Sequence, residues 1–157
     1  MGAFEYRQAE EIRDAFDREN VRYLFLGKSG AILLGFPDTT QDADIYADRS
    51  PENGRSIVRA LVRLGFALDE EQEAEIERVK DFVQIRTGPF DLDLIFAPDG
   101  IEQFDDAWQR RVEVEGFPVC HIDDIIASKE ATGRAKDRES LPRLKSFREY
   151  WKQHHPQ

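Results

Sequence analysis

The sequence predicts an α/β (α+β) fold, a mixed β-sheet flanked by helices, and three observations predict it. Short apolar runs such as "RYLFLG" read as buried strands. Amphipathic runs such as "FEYRQAEEIRDAFDREN" set Phe4, Ala9, Ile12, Ala15 and Phe16 near a 3.6 period, which is a helix. The two kinds of segment alternate along the chain. With 157 residues and 40% hydrophobic content, the chain can bury one real core and has little room for two, so one domain is expected over 1–157.

After the opening helix, "RYLFLG" is a strand stopped by Gly27, and "SGAILLG" makes two helical turns beginning near Ser29 and ending at Gly35. "ADIYA" is a second strand. Ser50 and Pro51 form a cap and first-turn proline for the helix "ENGRSIVRALVRL", which stops at Gly65. The acidic "DEEQEAEIE" at 69–77 reads as a solvated loop or short exposed helix. "DFVQIRT" and "FDLDLIF" are two strands joined tightly through Gly88 and Pro89, a hairpin. A helix follows at "IEQFDDAWQRR", then a strand at "FPVCHI", then helices built on "DDIIASKEAT" and "PRLKSFREYWKQ". Phe104, Trp108, Phe147 and Trp151 fall at helical spacings and are expected in the core.

Composition excludes several classes. No run approaches the roughly 18 apolar residues of a membrane span, and the first residues are charged from Glu5 onward. The expectation is a soluble, cytoplasmic protein with no membrane partner. Cys120 is the only cysteine, so no intramolecular disulfide can form. The net charge of −10 argues against coating nucleic acid by bulk electrostatics. The charge is uneven, however: residues 129–157 carry eight basic and four acidic residues, +4, which leaves −14 on 1–128.

"GKSGAILLG" raises a nucleotide question. Gly-Lys-Ser resembles the end of a P-loop, but the early glycine such a loop needs is absent: Arg22 stands there, inside the strand. A larger constellation fits better. About a dozen residues beyond Ser29 come Asp42 and Asp44, two apart on a strand, so their carboxylates share one face. Asp91 and Asp93 repeat the arrangement, with Phe90, Leu92 and Leu94 on the opposite face. Carboxylates so close repel, and a divalent cation with oxygen ligands removes that cost.

"LGKSGAILLGFPDTTQDADIY", "LDLIF" and "IDDIIASKEATGRAKD" together resemble the nucleotidyltransferase superfamily related to DNA polymerase beta, most nearly its minimal bacterial AbiEii-type and nucleotidyltransferase-like groups. The likeness spans about 21–147: a strand, a glycine turn opening a short helix, Asp-x-Asp on the next strand, a third Asp on a later one, Gly35-Phe36-Pro37 before the pair, and Lys129, Gly133, Arg134 and Asp137 in the C-terminal segment. The resemblance implies Mg2+ (or Mn2+) held by Asp42, Asp44 and Asp93, with Asp91 as substitute third carboxylate. It also implies nucleotide phosphates approached by Gly27, Lys28, Ser29, Lys129 and Arg134.

The implied activity is transfer of a nucleoside monophosphate from an NTP to a hydroxyl on tRNA or other RNA, on protein, or on a small molecule. A toxin–antitoxin or defence role is implied too, with a homodimer or antitoxin as partner. Lys28 departs from the family's small residue. It either reaches a phosphate or blocks the nucleotide, in which case the chain is a non-catalytic binding module for nucleotide, RNA or protein.

Overall fold

The computed structural model describes residues 4–133 and 135–155, with backbone alone over 135–138. Helix α1 (Tyr6–Arg18) opens the chain and buries the apolar stripe Ala9, Ile12, Ala15 and Phe16. Strand β1 (Tyr23–Leu26) is buried along its whole length and runs directly into α2 (Gly27–Leu33). Strand β2 (Asp42–Ala47) precedes α3 (Pro51–Arg63), where the Ser50 hydroxyl accepts the Asn53 N–H at 3.1 Å in the capping role its sequence predicts.

Helix α4 (Glu70–Glu77) is the short helix, one of the two expected forms, and it is docked through one residue rather than wholly exposed. A reciprocal cap between Asp69 and Gln72 starts it, and Ile76 is fully buried. Gly54 of α3 makes this docking possible, because a Cβ there would crowd the Ile76 carbonyl at 2.5 Å. One buried isoleucine among glutamates is a weak periodic signal, so the packing was hidden in the sequence.

Strands β3 (Phe82–Ile85) and β4 (Asp91–Ile95) form the expected hairpin. Helix α5 (Phe104–Arg110) leads to a second, short hairpin of β5 (Val112–Val114) and β6 (Phe117–Val119). Strand β5 is unanticipated, since three residues alternating with charge carry little pattern. Helices α6 (Ile122–Thr132) and α7 (Ala135–His154) close the chain. Helix α7 starts before Pro142 and runs through it, although proline removes a helical hydrogen bond. Buried Leu144 and Trp151, with α7 packed along α6, outweigh that loss. Phe104 and Trp151 are buried, while Trp108 and Phe147 pack partly buried against the core. Cys120 is a free, buried thiol.

The six strands make one mixed sheet in the order β3-β4-β2-β1-β6-β5. The central contact is β2 with β4, parallel and in register from Asp42 opposite Asp91 to Tyr46 opposite Ile95. No described helix is long and apolar enough to cross a membrane.

Candidate active site

The register of β2 and β4 builds the site. Asp42 pairs with Asp91 and Asp44 with Asp93, so two rows of carboxylates stand side by side on one face of the sheet. The alternate residues Ala43, Ile45, Leu92 and Leu94 face the other way and are fully buried. Sequence alternation therefore anticipated the shared face, and the parallel pairing brings the two acidic segments together.

Asp44 and Asp93 line a common cleft of about 300 Å³ with Leu26, Gly27, Ser128 and Lys129. Asp42 and Asp91 do not line it, so Asp93 is the carboxylate that shares the cleft with Asp44. Burial, and then the neighbouring Asp93 carboxylate, push the Asp44 carboxyl up to about 8, while Lys129 acts in the opposite direction. Lys129 sits in the last turn of α6.

Two short-range devices fix Asp44. Gly27 has φ +61°, and any Cβ on it would overlap the Asp44 carboxylate, so only glycine lets the turn approach. The Ser29 hydroxyl donates to the Leu26 carbonyl at 3.0 Å and accepts the Asp44 N–H at 3.0 Å. Ser29 is thus a buried clamp tying α2 to β2, with its proton committed to the backbone. Helix α2 begins at Gly27 itself, two residues before the expected start.

Lys28 points elsewhere. Its ammonium lies 3.2 Å from Asp38 Oδ2, the carboxylate that Arg143 also meets at 3.2 Å, and Lys28 does not line the cleft. Arg134 lies outside the described residues.

Sequence reasoning missed Arg86. Its Nη1 donates to Asp93 Oδ1 at 2.9 Å, while its other nitrogens lie 3.9 Å from Asp91 and 4.0 Å from Asp42. The β3–β4 register brings it there: Gln84 pairs with Asp93, and a residue two further along returns to the same face. Asp81 and Asp99 also line the cleft, and Asp81 is ion-paired with Arg49.

The donors are all oxygens, which suits a hard divalent cation. Mg2+ characteristically takes one or two protein carboxylates and leaves its other positions to phosphate and water. Among the described residues, no three His, Cys, Asp or Glu side chains are grouped to hold a metal by themselves. The Asp44–Asp93 pair, in which burial and the neighbouring carboxylate disfavour the charged form of Asp44, fits a cation shared with a substrate.

No protein-family model matches the chain, and no curated protein matches it. Solved structures do. A lincosamide antibiotic adenylyltransferase, LnuA, solved with lincomycin bound, superposes with a TM-score of 0.66 at 14% identity, over 92% of this chain and 99% of that one. A proposed nucleotidyltransferase from Thermotoga maritima superposes with a TM-score of 0.56 at 20% identity, over 90% of this chain and 92% of the other. Shared architecture over nearly the whole of each chain, with an acidic cleft beside a glycine turn, gives this protein the nucleotidyltransferase fold.

Proposed function

We propose that the protein transfers a nucleoside monophosphate from an NTP to a hydroxyl on a small-molecule acceptor, with Mg2+ or Mn2+ held by Asp44 and Asp93. The observation that carries this reading is the convergence of those two carboxylates, the Gly27 turn and Lys129 in one cleft. When bound, the divalent cation supplies Lewis-acid polarisation of the phosphoryl oxygens. The chain's own residues do the rest. Gly27 leaves the space beside Asp44 clear of side chain. Lys129 brings a positive charge into the cleft, where it balances phosphate. Asp93 accepts a hydrogen bond from the attacking hydroxyl and orients it.

Charge supports a small acceptor. Asp44, Asp81, Asp93 and Asp99 line the cleft with Lys129 as the lysine among the lining residues, and the whole chain is −10. A phosphate-rich acceptor such as tRNA would meet repulsion there. The lincomycin bound to the structurally similar adenylyltransferase is consistent with the same choice. The pairing of Lys28 with Asp38 leaves the cleft unblocked, which favours an enzyme over a binding-only module.

The test is label transfer from α-labelled NTPs with Mg2+, offered in parallel to a panel of hydroxylated small molecules, to total RNA and to lysate protein. Label is expected in the small-molecule panel and absent with Asp44→Asn or Asp93→Asn. Label in RNA or protein would replace the acceptor class. NTP and Mg2+ raising the melting temperature with no transfer to any pool would leave a binding module.

A further inference from the structure

Arg86 stands where the acidic face would otherwise be most repulsive. Three carboxylates surround its guanidinium: Asp93 at 2.9 Å, Asp91 at 3.9 Å and Asp42 at 4.0 Å. The side chains of Asp93 and Asp91 are only 11% and 14% exposed, and Asp91 Oδ1 is buried without a hydrogen-bond partner. Carboxylates this enclosed require a countercharge. A planar, permanently charged fork can serve several oxygens at once, which a point charge cannot. Arg86 leaves the opposite end of the face, between Asp93 and Asp44, open to the cleft.

We infer that Arg86 is a built-in countercation that occupies the Asp42–Asp91–Asp93 end of the face, so that the nucleotide-free protein takes up one divalent cation, at Asp44 and Asp93, rather than two. The inference rests on the proposed metal-dependent function and specifies how that site is loaded. Asp42 and Asp44, expected from the sequence to act together, are then divided between an organic cation and an inorganic one. Arg86 acts here through the carboxylates it holds, as a positioning residue.

The experiment counts bound Mn2+ per chain by electron paramagnetic resonance, without nucleotide, in the wild type, Arg86→Gln and Asp42→Asn. One ion is expected in the wild type, two in Arg86→Gln, and one in Asp42→Asn, with affinity within about threefold of the wild type, about 0.6 kcal/mol. Two ions in the wild type, or one in both the wild type and Arg86→Gln, would overturn the inference while leaving the metal site standing. No ion in any of the three proteins would bring down the metal site and the inference together. Should Arg86→Gln fail to fold, Asp42→Asn decides: retention of the single ion supports the inference, and its loss makes Asp42 a ligand and overturns it.

Discussion

Two enclosed aspartates in this protein have opposite neighbours. Asp124 at the start of α6 is 10% exposed and meets Arg110 Nε at 2.9 Å, while Arg110 also reaches Glu102 at 3.0 Å. Its charge is neutralised by the chain, and the pair ties α5 to α6. Asp44 faces another acid instead, and that neighbour together with burial raises its carboxyl to about 8. Asp124 has an arginine of its own, whereas Asp44 shares its cleft with a second carboxylate, Asp93, and has Lys129 as the opposing charge.

The largest effect should come from removing the Asp44 carboxylate. Asp44→Asn is expected to lower the transfer rate about a thousandfold, roughly 4 kcal/mol, while the protein still folds; steady-state label transfer and circular dichroism check the two halves. Gly27→Ala should destabilise the fold by about 2–4 kcal/mol, from positive-φ strain plus overlap with Asp44, read by urea denaturation. Arg110→Met leaves the Asp124 carboxylate enclosed without its partner. Its cost should be about 2 kcal/mol, held down because Arg110 is 39% exposed and solvent screens the loss.

The same contrast has a pH signature. Because Asp44 is raised in the folded state, its stabilising contribution is complete below about pH 4 and disappears as pH climbs through about 8. Metal-free protein should therefore lose melting temperature across that window, Mg2+ should restore it at the alkaline end, and Asp44→Asn should flatten the slope. The smallest effect belongs to a half-exposed pair. Lys28→Ala removes the contact with Asp38, both partly exposed, and should change stability by under about 1 kcal/mol and transfer by less than about fivefold. A large loss of transfer would return Lys28 to the phosphate.

Much of this contrast was legible in the sequence. Alternation in "DADIY" and "DLDLIF" put each pair of acids on one face, and the Gly27 stop put a turn beside them. What the pattern left open was the lateral order of strands. Nothing local to residues 42–44 states that they pair with 91–93 across an α3–α4–β3 crossover, nor that Asp93 and not Asp91 reaches the cleft. Ser29 looked like a ligand hydroxyl because its backbone partners, Leu26 O and Asp44 N–H, come from two different elements. Arg86 was overlooked because its relation to the acids runs across strands. The buried face of α4 rests on a single isoleucine, too little to register as a period.

The in-register pairing of β2 with β4 also bears on how the molecule is made. About fifty residues separate the partners, so their meeting is a late, high-separation event during folding. Ions in the cell cannot reward a partly synthesised or misregistered chain, because a slip of one position would turn one acidic row toward the core. A divalent cation bound at Asp44 and Asp93, as proposed, would therefore stabilise only copies whose central strands have paired in register.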